Sequence, residues 1–265
     1  MKVFLSADIE GITGTTHWDE TEKSKADYEE FRQQMTAEVA AACEGAIEAG
    51  ATEIWVKDAH DSGRNLIAAR LPQAVRLVRG WSGHPFMMMD CLDATFGAVM
   101  MVGYHSRAGS PASPLSHTMT GSAVSVKINE RFVSEFVINS YTAGLVKVPV
   151  VFVSGDAGLC DEARALIPAI GSVAVKQGVG NATINIHPQR AVDEIRKAAF
   201  QAIKEGPARC QVTLPDHFLI EMQYKDHAKA YGNSFFPGAR LKDATTVQYE
   251  SQDYFQILTF LGYVL

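Results

Sequence analysis

Four short apolar runs stand out along the chain: Val3–Ala7, Glu53–Lys57, Ala98–Val102 and Val148–Val153. Each is bounded by polar residues or glycine and is rich in Val, Ile, Phe or Met, as strands covered on both faces should be. A weaker fifth run is Ser172–Lys176. Between the first two, Tyr28, Phe31, Met35, Val39, Ala42 and Ala46 recur at three and four residues, which places them on one face of a helix. Ser24 with Asp27 suits a capping box at its start, and Gly50 suits its end. Strand, helix, strand is a βαβ unit, and repeated units imply a parallel sheet covered by helices.

Ser122–Val133 follows a different rule. Val124, Val126 and Ile128 alternate with polar residues, and Asn129-Glu130 offers a turn before Phe132 and Val133. That pattern predicts a hairpin, an excursion spanning about residues 113–133. A second helix is predicted near Ala191–Glu205, with Pro188 before it and Gly206-Pro207 after it. Gln211–Met222 and Thr245–Tyr249 read as further strands. The expected architecture is α/β: a three-layer domain with a mainly parallel sheet over residues 1–179, and a smaller α+β domain over 180–265.

The 265-residue length allows one large or two modest domains, and the composition is that of an ordinary globular protein, with 47% hydrophobic and 20% charged residues. A net charge of −6, with no block of like charge, makes nucleic acid and anionic membranes poor partners. Asp8 and Glu10 cut the N-terminal apolar run short of a signal peptide, and no later run is long enough to span a bilayer. Cys43, Cys91, Cys160 and Cys210 lie far apart without a CxxC pair, which suits reduced thiols in a cytoplasmic protein.

The chemistry gathers where the strands end. The first ends in Asp8-Ile9-Glu10, the second in Asp58-Ala59-His60, the third in Gly103-Tyr104-His105 and the fourth in Gly155-Asp156. In a parallel sheet these ends share one edge, and ligands bind outside the carboxyl ends of the strands. Carboxylates and imidazoles converging there suit Zn²⁺ and similar divalent ions. Taken singly, an Asp at a strand end is a turn former or cap, and a lone His is a hydrogen-bonded structural residue. Asp8 and Glu10, two apart on an extended segment, point the same way and repel each other unless a cation neutralises them.

Together, S-x-D-x-E-G at Ser6–Gly11, D-x-H at Asp58–His60, G-Y-H-x-R-A at Gly103–Ala108, S-H-x-M at Ser116–Met119 and A-V-K-Q at Ala174–Gln177 resemble the zinc D-aminopeptidases. The resemblance runs from Met1 to at least Thr245–Gln248. It implies a two-zinc site with ligands at Asp8, Glu10, His60, His105 and Glu135, and a catalytic histidine at His117. It also implies release of N-terminal D-amino acids from short peptides by a ring-stacked homo-oligomer, a decamer, with its sites facing an inner chamber. Glu135 also reads as a first-turn Glu after a Ser134 cap. Asp8, lying between the others in the motif, is the expected bridging ligand. His117 acts as proton carrier or as nucleophile; sequence leaves both open.

Other residues carry two readings each. Asp58 and Asp156 suit either a turn or the orientation of a histidine ligand. Arg107 and Lys176 suit either a substrate carboxylate or surface pairing, and Tyr224–Pro237 either a substrate pocket or a subunit contact. Two competing functions stand beside the peptidase: a metal-assisted peptide-binding module without turnover, and a metal-dependent amidase or esterase on the same scaffold. A histidine beyond a full ligand set argues against the pure binder.

Overall fold

The computed structural model describes every residue from Met1 to Leu265. The predicted runs become β1 (Lys2–Ala7), β2 (Glu53–Asp58), β3 (Val75–Val78) and β4 (Ala98–Tyr104), followed later by β7 (Val150–Asp156), β8 (Gly171–Val179) and β9 (Ala182–Asn185). They form one seven-stranded sheet in the order β3-β2-β1-β4-β7-β8-β9, parallel except for β9. Every residue of β4 and β7 is buried, which explains why these strands read as unbroken apolar runs rather than alternating ones.

The chain order shows where a site can form. From β1, the crossover through α1 (Tyr28–Glu48) leads to β2 on one side; from β4 and β7, the later crossovers lead to the other side. These later crossovers use α2 (Glu135–Leu145) and α3 (Ala157–Leu166). Right-handed crossovers then put α1 on one face and α2 with α3 on the other. The direction reverses between β1 and β4, so their carboxyl ends flank a crevice at the switch point. α4 (Pro188–Lys204) packs beside α1 and against β7 and β8.

A second, antiparallel sheet has the order β11-β12-β10-β5-β6. It joins the predicted hairpin, β5 (Ala123–Ile128) and β6 (Arg131–Phe132), to β10 (Phe218–Tyr224), β11 (Arg240–Leu241) and β12 (Thr246–Ser251). Asn129 and Glu130 both have positive φ, 49° and 66°, as a two-residue type I′ turn requires. β10 begins only at Phe218, later than the apolar pattern suggested, because Pro215 interrupts that run. α5 (His227–Asn233) and the apolar α6 (Tyr254–Val264) complete this part. Residues 180 and 181 form the turn of the β8–β9 hairpin, so the hydrogen-bonded sheets do not part there. The five-stranded sheet instead draws strands from the middle and the end of the chain.

At the start of α1, the expected capping box does not form: Asp27 already has helical angles (φ −74°, ψ −19°), and its side chain makes no capping bond. An N-cap needs extended backbone to turn its side chain back onto the first turn. Gly50, with φ 105°, does follow the helix end. All four cysteines are free. No helix is long and apolar enough to cross a membrane.

The strand ends at the switch point touch backbone to backbone. A Cβ on Gly11 would lie 1.7 Å from the Tyr104 carbonyl oxygen, and one on Gly103 (φ +73°) would lie 2.2 Å from that of Asp8. Backbone cannot rotate away as a side chain can. Gly11→Ala is therefore expected to cost at least about 1–3 kcal/mol of stability. Urea unfolding checks this, and an unchanged midpoint would show that the two strand ends can separate freely.

Candidate metal centre

β1 runs directly into Asp8-Ile9-Glu10, and the segment is held to β4 by Asp8 N–H donating to the Val102 carbonyl (2.9 Å) and Gly11 N–H to that of Gly103 (2.8 Å). His60 follows the end of β2, and His105 follows β4 directly. Glu135 opens α2, whose N-cap Ser134 accepts from the Val137 N–H. His117 comes from the loop between β4 and β5. All six side chains meet. His60 Nδ1 lies 3.3 Å from Asp8 Oδ1 and 3.1 Å from Glu10 Oε2. His105 Nε2 lies 3.5 Å from both Asp8 Oδ2 and Glu135 Oε2. His117 Nε2 lies 3.6 Å from Glu135 Oε1, and its ring stacks on that of His105 at 4.2 Å and 11°.

Each histidine spends its other nitrogen on a backbone carbonyl. His60 Nε2 donates to Thr21 (2.9 Å), His105 Nδ1 to Ser106 (3.0 Å) and His117 Nδ1 to Leu115 (3.0 Å). A carbonyl only accepts, so these bonds fix the proton on the outer nitrogen, and a neutral ring then aims its lone pair inward at carboxylates. Lone pair facing lone pair is unfavourable unless a cation lies between them. Outer-nitrogen bonding of this kind accompanies metal-ligating histidines. Glu10 Oε2 and His105 Nε2 are buried without a hydrogen-bond partner, which also fits atoms directed at an ion.

The protonation equilibria carry the same conflict. Burial, reinforced by Glu10, pushes the Asp8 carboxyl up to about 8. For His105, burial disfavours the charged ring, but Glu135, Asp8 and Glu10 together overcome it and raise the imidazolium to about 10. His60 is likewise raised against its burial, chiefly by Glu10. Without a metal, protons do the neutralising. Two sets of side chains are close enough to share an ion: Asp8, Glu10 and His105, and His105, His117 and Glu135. Asp8, Glu10, His117 and Glu135 border a small cavity of about 160 Å³ together with Ala59, Asp61, Trp81, Met88 and Met119.

A sequence model of the D-aminopeptidase family matches residues 1–263. The chain belongs to the D-aminopeptidase family. It is 32% identical to a D-aminopeptidase of Bacillus subtilis over 255 residues, covering 96% of this chain and 92% of that one. Among solved structures it resembles DppA of Bacillus subtilis, described as a Zn-dependent D-aminopeptidase and a self-compartmentalizing protease. That match has a TM-score of 0.92 and 31% identity, and covers 100% of this chain and 96% of the other.

Several residues around this D-aminopeptidase-type centre have supporting places. Asp58 accepts from Asn65 and Leu66 N–H and from the Asn65 amide, which is a turn role. Asp156 accepts from the Ser106 N–H (2.6 Å) and hydroxyl (2.5 Å) and caps α3, so it holds the residue whose carbonyl orients His105. Lys176 is buried and donates to the carbonyls of Glu10 and Thr15, bracing the loop after β1. Arg107 instead lies over the Phe132 ring at 4.4 Å. None of Tyr224–Pro237 borders the small cavity. His17 and His187 cap helical turns, and His84 packs edge-on against Phe86. Thr21, Leu115 and Ser106 act through their carbonyls, and the backbone N–H of Met119 donates to Glu135 Oε1 (2.7 Å). Side-chain type carries no signal for such groups.

Asp8 and His105 hold protons in the folded, metal-free state that the unfolded chain gives up near 3.8 and 6.5. A raised folded pKa contributes stability at low pH that is lost as pH rises through the folded value. Between pH 6.5 and about 8 both groups act in this direction, whereas Lys176, lowered to about 8 by burial, opposes them only above that. The chelator-treated protein is thus expected to melt at progressively lower temperature from pH 6.5 to 8. Added Zn²⁺, which binds better as its ligands lose protons, should flatten or reverse the trend. A metal-free melting temperature that rises over this window would contradict the arrangement.

Proposed function

We propose that this protein is a metal-dependent aminopeptidase that releases N-terminal D-amino acids from short peptides, with two zinc ions per chain held by Asp8, Glu10, His60, His105 and Glu135. The observation that carries this is the buried meeting of three carboxylates with three histidines, each anchored at its outer nitrogen to a backbone carbonyl. The mixed nitrogen and oxygen donor set suits zinc. The names of the relatives, D-aminopeptidase and Zn-dependent D-aminopeptidase, support the same reading. Asp8 would be the bridging ligand, because its two oxygens face different histidines, Oδ1 toward His60 and Oδ2 toward His105.

Zinc at this position supplies Lewis-acid polarisation of the scissile carbonyl and a nucleophile at neutral pH. The chain's own part is positioning and proton handling. Leu115 holds His117 so that Nε2 faces the cluster, 3.6 Å from Glu135 Oε1. His117 therefore serves as proton carrier: with its Nδ1–H held by Leu115, its free Nε2 takes a proton from the attacking water and passes that proton to the departing amine. The small cavity takes the N-terminal residue of the substrate. Tyr231, Phe235 and Tyr263, exposed on the part built around α5 and α6, are apolar surface available for homo-oligomer contacts. A decamer is the assembly that we assign, in the cytoplasm, where free thiols are stable.

Turnover of D- but not L-aminoacyl p-nitroanilides by zinc-loaded protein, abolished by chelator and restored by zinc, is the expected result. Zinc binding without turnover would favour a peptide-binding module, and cleavage of non-peptide esters or amides alone would favour the amidase reading.

His117→Ala should retain fold and zinc while kcat falls by about 10²–10⁴-fold. Zinc content and turnover should be measured on one preparation. Because His117 also lies within reach of a metal shared by His105 and Glu135, loss of zinc from the variant would make it a ligand instead.

A further inference from the structure

His117 sits on a loop, and the loop alone does not hold its ring. Its Nδ1 bond to Leu115 spans only two residues, and its side chain is 16% exposed. One ring contact is the stack on His105. The other comes from a distant part of the chain: Trp18 meets the His117 ring edge-on, with centroids 5.3 Å apart at 65°. We propose that Trp18 is a positioning residue that keeps the His117 imidazole facing the metal cluster during turnover, a role that rests on the proton-carrier reading above.

The segment carrying Trp18 is built to be rigid without its indole. Trp18–Glu20 is a single 3-10 turn closed by a capping box, in which His17 accepts from Asp19 N–H and Glu20 accepts from the N–H groups of Thr16 and His17. The Trp18 carbonyl accepts both the N–H and the hydroxyl of Thr21, at 2.9 Å each. The Thr21 carbonyl in turn accepts from His60 Nε2. One short turn thus presents an aromatic edge to His117 and a carbonyl to His60. The backbone serves one histidine and the side chain the other, so removing the indole releases His117 and leaves the His60 contact intact. Trp18 is 39% exposed, so its loss opens no core cavity. It is also absent from the residues bordering the small cavity, which separates it from the walls that would contact substrate there.

The test is a double-mutant cycle on the zinc-loaded enzyme with a D-aminoacyl p-nitroanilide, combined with the rate at which diethyl pyrocarbonate modifies His117, read by mass spectrometry of its peptide. Trp18→Ala should lower kcat by about 10–100-fold with KM and zinc content unchanged, as expected when a reacting group is misplaced rather than removed. Trp18→Phe should recover most of the loss. His117 should be modified faster in Trp18→Ala than in the parent or in Trp18→Phe. In a His117→Ala background the same substitution should have little further effect, because both changes act through one group. The proposal is overturned if the loss persists undiminished in that background, if KM rises with kcat unchanged, if zinc is lost, or if the modification rate does not change. A fully active His117→Ala enzyme would instead overturn the proton-carrier reading itself, and this proposal with it.

Discussion

Three carboxylates and three imidazoles are packed into a space from which water is largely excluded, and their charges have to balance. Asp8, Glu10 and Glu135 cannot all be ionised side by side in a buried site without a compensating cation, because burial penalises each charge and proximity adds mutual repulsion. In the metal-free chain the compensation comes from protons retained on Asp8, His60 and His105. A divalent ion replaces those protons and relieves the repulsion directly. The centre is therefore a place where metal affinity, protonation and folding stability are linked.

Much of the surrounding fold can be understood as holding this cluster together. The strand order reverses between β1 and β4, and the chain brings the two strand ends into backbone contact there through Gly11 and Gly103. That contact sets the spacing between the Asp8-Ile9-Glu10 segment and His105. Around it, backbone carbonyls from the β1–α1 and β4–β5 connections orient the three histidines, and Asp156 and Lys176 hold the segments that carry Ser106 and Glu10. The antiparallel sheet adds the remaining side. The Thr118 hydroxyl donates to the Val133 carbonyl, just ahead of α2, and accepts from the Ala108 N–H. These bonds tie the His117 loop to the segment that delivers Glu135.

Much of this could be anticipated from residue order. The apolar runs located β1, β2, β4, β7 and β8, because strands buried on both faces must be apolar throughout. The period of α1 and the Asn129-Glu130 turn were equally plain, since each is a local property of backbone geometry. Asp8, Glu10, His60 and His105 could be nominated together because parallel strands place successive carboxyl ends on one edge. Glu135 and His117 lay outside that rule and were nominated through family resemblance, one being in a helix turn and the other in a loop.

Other features depended on contacts between distant segments. The allocation of β5 and β6 to a sheet completed by β10, β11 and β12 is a matter of long-range pairing, which no local period encodes. The failure of the Ser24–Asp27 cap reflects the path of the incoming chain, which leaves Asp27 in a helical conformation. Trp18, Thr21, Leu115 and Ser106 gave no signal at all, because a carbonyl belongs to every residue and an indole edge matters only for what it touches. The sequence by itself determined the elements and the ligand-type side chains at the strand ends. Only the tertiary structure decided how the three histidines meet the carboxylates, because His60 is turned by the distant Thr21 carbonyl and the stacked rings of His105 and His117 reach Glu135 through contacts that no local pattern encodes.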